Sequence, residues 1–480
     1  MQFNRRIYRL SPRDLSAETI AVTFAKTSRS PEPFDQIAAE LDEAKSTEFS
    51  EKWIVGYGHS SVAEHAVLHL ALENVSRLAI ETIEGNRLAS YTEKSTRYQQ
   101  WDSTAFVTPP EIQHSPFAGE YNETLSRLFE TYAEILNALL PWGQTQTPRK
   151  QGESEKAWLN RARLKAVDVA RFVLPAASMA NVGLTINARA LEYAIRKMLS
   201  SELMEVRLIG EEIKNVATEE LPTLVKYANP IDYLPDLSQF AREQARAISS
   251  GSETSYQLIS SDHDGEERVI AALLYRFGSG SFEASLDYVN ELQEEEKINF
   301  VDRLFEGVGS FDSPMRELEY ANLTFDLIMD QGAYFEFKRH RMMTQTVQSF
   351  GIQHGFAIPR AITEAGVEQK YRQTMEAIAA LYQKIADWNP QAAAYVLPNA
   401  FNRRVLCQVN LRSLYHFIKL RSAENAHFSI RLLAYGMLEL TRTKYPLFAG
   451  KILPKSKLTS QELEQRFFTN TAVKVGRNEP

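Results

Sequence analysis

The spacing of apolar residues predicts both helices and strands in each half of the chain. Residues 34–53 and 414–435 repeat apolar positions at helical intervals, with polar residues between them. Residues 66–72 alternate in part between apolar and polar positions, which is typical of a strand, and residues 320–325 are their counterpart. Residues 469–480 are mostly polar and predict a loose tail. Each half is therefore predicted to be a mixed α and β fold.

One motif region occurs twice, and each copy retains a different part of it. The first copy lies at residues 86–98 and the second at residues 339–351, and both derive from the pattern RHRxxSxxExSxRY. Ser90 aligns with Thr344. The first copy has lost the Arg-His pair and kept the tail of the pattern, whereas the second has kept Arg-His-Arg and lost the tail. This complementary loss predicts two halves of one site rather than two independent sites.

Further blocks repeat in the same order around this motif. Residues 61–70 match residues 316–325, and the sequences Val-Leu-Pro and Asn-x-Arg each occur twice. The interval from Val-Leu-Pro to Asn-x-Arg is 14 residues in each copy. Ordered blocks of this kind predict a tandem duplication of one folding unit. The repeated downstream residues are Val173, Leu174, Pro175, Asn187, Arg189 and Arg207 in the first copy, and Val396, Leu397, Pro398, Asn410, Arg412 and Arg431 in the second.

A short polar segment divides the chain near its middle. Residues 249–255 are small and polar, as expected of a flexible linker. The predicted domains are therefore residues 1–248 and residues 256–480, one for each copy. The first copy is longer between the motif and Asn-x-Arg, and we expect the polar residues 143–156 to hold the extra length.

Composition narrows the class of protein. Charged residues make up 24% and hydrophobic residues 44% of the chain, as in ordinary soluble globular proteins. The formal net charge of -7 argues against a general nucleic-acid-binding protein, which needs a basic surface. We find no apolar run of the roughly 20 residues that span a membrane, and the N-terminal residues lack the apolar core of a signal peptide. We therefore expect a cytoplasmic protein, and we predict no metal site.

The sole cysteine, Cys407, excludes a disulfide within the chain. It lies in residues 405–409, whose apolar character predicts a buried strand. We therefore interpret Cys407 as a core residue, since free cysteine is commonly buried.

Two groups of polar residues could bind an anionic ligand. In the first copy, Glu93, Ser95 and Arg97 would point to one side of an extended segment and offer an acceptor, a hydroxyl and a cation. Arg171, just before Val-Leu-Pro, adds a second candidate for a phosphate oxygen. In the second copy, residues 338–341 concentrate up to four positive charges in an acidic chain. Taken alone, a polar strand face and a solvated basic patch explain these groups at least as well.

A third group follows the second Asn-x-Arg. If a helix starts near Asn410, Arg421 lies on the same face about 16 Å away, because eleven residues rotate by about 1100°. Arg412 and His416 belong to the same group. Such a face can span a large planar ligand, although a lone helix arginine is also typical of a surface salt bridge.

In combination, these blocks resemble the flavin-dependent thymidylate synthases. The shared blocks are GHSSVAEH, the RHRxxSxxExSxRY pattern, ARxVLP, and Asn-x-Arg followed by Leu-Arg, and they extend over most of both halves. The family usually has a single unit, so this chain resembles two such units in tandem. The resemblance implies an α+β (mixed α/β) fold in each unit, with a mostly antiparallel sheet flanked by helices.

The resemblance also implies the ligands and the reaction. It implies reductive methylation of dUMP to dTMP, with methylenetetrahydrofolate as carbon donor and with FAD, reduced by NADPH, as cofactor. Arg421 would be catalytic, because a permanently protonated arginine can stabilise the pyrimidine anion at N3. The implied flavin-binding residues are Ser61, Arg339, His340, Arg341, Asn410, Arg412 and His416. The implied nucleotide-binding residues are Glu93, Ser95, Arg97, Arg171 and Arg421.

The family forms homotetramers with active sites between subunits, which implies a homodimer of tandem chains here. One composite site built from both halves would keep every binding group. Two departures from the family pattern bear on the substrate: Glu336 takes the place of a glutamine, and Thr344 replaces the motif serine. Two alternatives stay open, namely the same chemistry on another pyrimidine nucleotide and a non-catalytic protein that binds flavin or nucleotide.

Overall fold

The structure, a computed structural model, divides into two compact units. The described residues are 6–28, 30–41, 43–49, 51, 60–97, 101–248, 251, 254–309, 311–454 and 457–476. The first unit comprises residues 1–95, 107–116 and 178–250, and the second comprises residues 96–106, 117–177 and 251–480. Most of the predicted linker lies outside the described residues.

The compact units differ from the division predicted along the sequence. One unit boundary falls at residue 250, but residues 96–106 and 117–177, which come before that boundary in the sequence, belong to the second unit. The first copy therefore contributes two helices to the second unit, Ala118–Thr145 and Glu155–Ala170. Of the residues 143–156 expected to hold the extra length of the first copy, residues 146–154 connect these helices, and the others lie at the helix ends.

The first unit is built around a three-stranded antiparallel sheet. Met179–Asn187 is the central strand, with Val67–Ser76 and Ala89–Glu93 on either side. One face of the sheet packs its leucine, valine and isoleucine side chains against helices, because successive side chains of a strand point to opposite faces. The helices are Ala17–Lys26, Phe34–Ala39, Glu43–Phe49, Arg77–Glu84, Pro110–Gln113, Ala188–Leu199, Met204–Glu220 and Tyr233–Ala245, with a 3₁₀ turn at Ser60–His65.

The second unit contains a four-stranded sheet and a two-stranded sheet, and their strand pairs are also antiparallel. The four strands run in the order Tyr256–Ser261, Asn322–Asp330, Asn402–Asn410 and Thr344–Val347, and the two-stranded sheet pairs Phe356–Pro359 with Phe468–Val473. The additional helices are Gly265–Phe277, Phe282–Glu291, Glu294–Phe305, Gln331–Phe337, Arg360–Glu364, Glu368–Ala386, Pro390–Ala393, Leu411–Arg421, Phe428–Arg442, Pro446–Ala449 and Ser460–Phe467. The 3₁₀ turns are Arg171–Val173, Arg316–Tyr320 and Ala394–Val396. The predicted mixed α/β fold with antiparallel sheets is confirmed.

Strand pairing places the two copies of the motif in equivalent positions. Ser90 pairs with Thr185, and Thr344 pairs with Gln408. Both partners lie two residues before the asparagine of Asn-x-Arg. The predicted alignment of Ser90 with Thr344 is therefore confirmed by the register of the sheets.

The two Val-Leu-Pro segments pair with each other inside the second unit. The backbone N–H of Ala176 donates to the carbonyl oxygen of Leu397 at 2.9 Å, and that of Asn399 donates to Leu174 at 3.0 Å. Asn399 is the counterpart of Ala176, and Leu397 is the counterpart of Leu174. The pairing is therefore self-complementary, as an interface across a twofold axis would be.

Several predicted elements are confirmed, with differences at their ends. The strand predicted at residues 66–72 extends to Ser76, and the helix predicted to start near Asn410 begins at Leu411. The helical pattern of residues 414–435 covers two helices, because the chain leaves the helical path at residues 422–427.

The predicted loose tail is wrong over its first residues. Phe468–Val473 forms a strand that pairs with Phe356–Pro359. Cys407, by contrast, is fully buried in its strand as predicted, and burial raises the pKa of its thiol to about 12. Within the described ranges, no helix is long and apolar enough to cross a membrane.

Candidate active site

Charged residues from both copies meet in the second compact unit. Arg97 donates from Nε to Asp168 Oδ1 at 2.6 Å and from Nη2 to Oδ2 at 2.7 Å. This two-point contact fixes the plane of the guanidinium. Asp168 lies near the end of the helix Glu155–Ala170, three residues before Arg171, so the two side chains are neighbours.

Arg171 stands between two carboxylates without a hydrogen bond to either. Its Nε lies 4.0 Å from Asp168, and its Nη2 lies 3.6 Å from Glu336. Among the described residues neither nitrogen has a hydrogen-bond partner, although the side chain is only 13% exposed. Buried N–H groups without partners are costly, so Arg171 is a strong candidate to bind an anion.

Arg421 closes the row of charges from the second copy. It is the last residue of the helix Leu411–Arg421, where a cation is favoured by the helix dipole. Its Nη1 donates to Glu336 Oε2 at 2.8 Å, and its Nε donates to His340 Nε2 at 2.9 Å. Burial lowers the pKa of Arg421, but an arginine keeps its proton in proteins.

This contact defines the charge state of His340. Because Arg421 donates to Nε2, that nitrogen must accept, so the ring is neutral and carries its proton on Nδ1. The pKa of His340 is lowered to about 3. Burial is the largest cause of this shift, and the positive charge of Arg421 is the next largest. We call the six residues Arg97, Asp168, Arg171, Glu336, Arg421 and His340 the charge ladder.

His416 lies beside the charge ladder on an exposed surface. Its ring centroid is 5.9 Å from that of His340. Burial, followed by the charges of Lys419 and Arg421, lowers the pKa of His416. Two neutral imidazoles are therefore next to each other at this end of the ladder at neutral pH.

A buried histidine holds one residue of the charge ladder in position. His427 is fully buried, and its Nε2 lies 2.9 Å from the backbone oxygen of Asp168, so Nε2 carries the proton. The centroid of its ring lies 4.1 Å from the ring centroid of Phe428 and 5.6 Å from that of Phe172. Burial lowers the pKa of His427 well below the usual value, so the ring is neutral. The neutral ring holds Asp168 in position by donating a hydrogen bond to its backbone oxygen.

The helix that carries Glu336 is also fixed by a buried carboxylate. Asp330 caps the helix Gln331–Phe337 by accepting from Ala333 N at 2.9 Å, and it accepts a second hydrogen bond from Ser429 Oγ. Burial raises the pKa of Asp330 to about 6, against the opposing effects of Ser429 and Arg171.

The predicted arrangement of the first copy's motif tail is wrong. The strand ends at Glu93, and a turn at Thr96 and Arg97 replaces the extended segment on which three side chains would share one side. Glu93 instead lies 3.2 Å from Arg77 in a buried ion pair of the first unit. Ser95 and Ser61 are exposed residues of that unit. Arg97 is the one member of the predicted trio in the ladder.

Asn410 and Arg412 have structural roles that both copies share. Asn410 Oδ1 accepts from Ser413 N at 2.8 Å and so caps the helix, and Arg412 donates to Glu319 at 2.9 Å. In the first copy the equivalent contacts are Asn187 with Ala190 N at 2.9 Å and Arg189 with Glu64 at 2.5 Å. A flavin contact of Asn410 and Arg412 stays a prediction beside these roles.

The Arg-His-Arg segment is not a uniformly solvated patch. Arg339 is exposed, and Arg341 is partly exposed. Lys338, just before them, is 8% exposed, and its ammonium lies 5.1 Å from the ring centroid of Phe335. Two arginines therefore face outwards next to His340, where a ligand can reach them.

Sequence reasoning missed several supporting residues. Asp168, Asp330, His427 and Ser429 occur in no repeated block, and they become visible only through packing. For Asp168 a local signal existed, because a carboxylate three residues before Arg171 on a helix is placed to contact it.

Comparison with known proteins agrees with the duplicated architecture. The family model described as thymidylate synthase complementing protein matches residues 10–223 and, separately, residues 257–447. The two matches span most of the chain, so the chain belongs to this family, as a tandem of two units.

Relatives of two sizes are found. A UPF0159 protein of Chlamydia pneumoniae is 29% identical over 419 residues, covering 83% of this chain and 79% of its own. A UPF0159 protein of Thermoplasma acidophilum is 25% identical over 448 residues, covering 86% of this chain and 89% of its own. A flavin-dependent thymidylate synthase of Clostridium tetani is 29% identical over 214 residues, covering 44% of this chain and 82% of its own.

Among solved structures, a UMP/dUMP methylase, PolB, from Streptomyces cacaoi, bound with 5-Br dUMP, matches with a TM-score of 0.32 and 17% sequence identity. The match covers 41% of this chain and 92% of that chain.

Proposed function

We propose that this protein is a flavin-dependent enzyme that methylates the pyrimidine of dUMP to give dTMP, and that the charge ladder binds the nucleotide. The observation that carries the proposal is the meeting of Arg97 and Arg171, from the first copy, with His340 and Arg421, from the second. Neither copy alone holds this set. The counterparts of these four residues are Gly351, Ala394, Asn86 and Met198.

The phosphate of the nucleotide binds at the Arg97 and Arg171 end of the ladder. Arginine presents parallel N–H groups that match phosphate oxygens. The Nε and Nη2 of Arg171, which have no hydrogen-bond partner in the described part of the chain, supply donors that a phosphate can use. Binding of a dianion there also offsets the cost of leaving those buried donors without partners.

The pyrimidine binds at the Arg421 and His340 end. Arg421 keeps its positive charge and stabilises the negative charge that develops at N3, which makes C5 nucleophilic. It cannot remove a proton, so its role is electrostatic. Neutral His340 accepts a hydrogen bond from Arg421 and holds the guanidinium in place. Activation of the pyrimidine therefore needs no thiolate, in agreement with the buried position of Cys407.

The residues around the ladder fit a flavin nucleotide. Arg339, Arg341 and His416 are exposed or partly exposed donors next to His340, and a diphosphate needs such donors. These residues would hold the cofactor, with Asn410 and Arg412 as further candidates, and a flavin contact of Ser61 stays a prediction from the resemblance. When bound, FAD would supply the reducing equivalents of the methylation.

The full proposal includes NADPH as reductant, methylenetetrahydrofolate as carbon donor, and a cytoplasmic homodimer equivalent to a family tetramer. The protein, purified and supplied with FAD, should form dTMP from dUMP when both co-substrates are present, and should form none when either is omitted. A yellow protein that binds dUMP but forms no methylated nucleotide would contradict the enzyme assignment and favour a binding protein. A colourless protein that binds no flavin would contradict the cofactor.

A further inference from the structure

The carboxylate of Glu336 occupies the middle of the charge ladder. Its Oε2 accepts from Arg421 at 2.8 Å, whereas its Oε1 lies 3.6 Å from Arg171. The second distance is too long for a hydrogen bond. Among the described residues no hydrogen bond reaches Oε1, and the side chain is 18% exposed. One acceptor oxygen is thus held in place, open to a ligand, between two arginines.

The proposed binding mode determines which part of the ligand meets this oxygen. If the phosphate lies at Arg171 and the pyrimidine at Arg421, the sugar connects them past Glu336. A phosphate group or a carbonyl oxygen offers no proton to a carboxylate, but a sugar hydroxyl does. Carboxylates bind ribose hydroxyls in this way at other nucleotide sites, where an acidic residue accepts from the 2′-OH.

We propose that Glu336 accepts a hydrogen bond from a sugar hydroxyl of the nucleotide. The site would therefore bind a ribonucleotide, which has a 2′-OH, more tightly than the corresponding deoxyribonucleotide. The inference rests on the proposed function: the site and the reaction are those proposed for dUMP, and UMP is the ligand that the same site binds more tightly. A ribose offers two neighbouring hydroxyls to the open oxygen, whereas a deoxyribose offers one.

The comparison between the copies supports a ligand role for Glu336. Its counterpart in the first copy is Thr82, on the equivalent helix Arg77–Glu84. The counterpart of Arg421 is Met198, which is buried in the core. The acid and its arginine are therefore present together in one copy and absent together from the other, although the helix and its cap are present in both.

The test is the ratio of the dissociation constants for UMP and dUMP, measured by calorimetry on the flavin-loaded protein. The natural protein should bind UMP about tenfold more tightly than dUMP, as for one hydrogen bond to a charged group. In Glu336→Gln the ratio should fall to about twofold or less. Removal of the Glu336 charge changes the attraction for the phosphate of UMP and for that of dUMP equally. The ratio of the two dissociation constants therefore reports only the difference between the sugars.

Glu364→Gln is the matched control, because Glu364 lies in the same unit and accepts from Trp142 Nε1 at 2.6 Å, and neither residue belongs to the charge ladder. It should leave the ratio unchanged. Equal binding of UMP and dUMP by the natural protein, tighter binding of dUMP, or an unchanged ratio in Glu336→Gln overturns this inference alone. If the natural protein binds neither nucleotide, the proposed function fails with it.

Discussion

Where the first long strand of each copy ends, a buried hydroxyl meets a buried carboxylate, but the two copies place them at opposite positions. In the first copy, Ser76 Oγ donates to Glu205 Oε2 at 2.6 Å. In the second copy, Ser429 Oγ donates to Asp330. Asp330 occupies the position of Ser76, and Ser429 that of Glu205. The duplication has thus preserved the interaction while exchanging the residues that make it, and in both copies the strand residue caps the next helix.

A second buried acid is unchanged between the copies. Glu18 accepts from Thr223 N at 3.0 Å and from Leu224 N at 3.2 Å. Its counterpart Glu266 accepts from Phe448 N at 2.9 Å in the same way. Burial raises the pKa of both carboxyls, to about 7 for Glu266. Contacts that hold the fold are therefore duplicated, whereas the groups proposed to bind the ligand are divided between the copies.

The largest effect is expected at Arg421, which has a buried methionine as its counterpart. Arg421→Ala should lower the rate of dTMP formation by roughly 10²–10³-fold, as for a lost electrostatic contact in the transition state. Met198→Ala should instead lower the free energy of unfolding by about 2–5 kcal/mol, because it leaves a cavity. Steady-state kinetics and chemical denaturation separate the two effects. Equal loss of rate in both folded variants would refute the comparison.

Complementation between variants tests where the composite site lies. The charge ladder joins Arg97 and Arg421 within one chain. A mixture of Arg97→Ala chains and Arg421→Ala chains should therefore recover no activity after dissociation and reassembly. Recovery to about one intact site per mixed dimer would mean that the site is drawn from two chains.

The two arginines contributed by the first copy should control nucleotide affinity. Arg97→Ala and Arg171→Ala should each weaken dUMP binding by about 1.5–3 kcal/mol, as for lost charge-assisted hydrogen bonds. Arg127→Ala is the control, because Arg127 is exposed and paired with Glu123 in the same unit. Calorimetry measures the affinity, and unchanged binding in both ladder variants would remove the phosphate role.

The flavin should depend on the second copy more than on the first. Arg339→Ala should strip FAD from the protein, whereas Arg87→Ala, in the first copy, should weaken it much less. Flavin absorbance after gel filtration gives the occupancy of each variant. Similar losses in the two variants would assign the cofactor to both copies alike.

A separate prediction concerns Glu266 and the pH dependence of stability. The folded protein keeps the Glu266 proton to about pH 7, whereas a free glutamate loses it near 4.5. Between these values the folded state binds more protons, so this contribution to stability falls as pH rises through the window. Glu266→Gln should flatten the dependence, and Glu295→Gln, at an exposed position, should not. Urea denaturation at pH 5 and pH 7.5 gives the free energy of unfolding of each variant. If Glu266→Gln leaves the pH dependence of this free energy unchanged, Glu266 is not its cause.

The sequence predicted those features that depend on local pattern or on repetition. The strand near residue 67, the helix after Asn410 and the alignment of Ser90 with Thr344 follow from spacing within a short segment. The grouping of Arg97, Arg171 and Arg421 followed from the complementary loss of motif residues together with the family resemblance. Each of these signals is present in the order of the residues.

The remaining features depend on contacts between distant segments. Residues 469–480 are polar enough to predict a tail, but the first five of them belong to the strand Phe468–Val473, which pairs with Phe356–Pro359. Asp168 and His427 are far apart in sequence and meet through a backbone hydrogen bond. The assignment of residues 117–177 to the second unit likewise depends on packing against later helices, which no local pattern reveals.

The pairing of the two Val-Leu-Pro segments has a consequence for association. Two identical chains that paired through such a segment would dissociate on dilution. Both partners would then carry the same sequence. Here both partners belong to one polypeptide, so their effective concentration is fixed by the tether and does not fall with that of the protein. A change in one of the two segments is no longer repeated in the other. Covalent linkage thus permits Arg171 to precede one Val-Leu-Pro while Ala394 precedes the other.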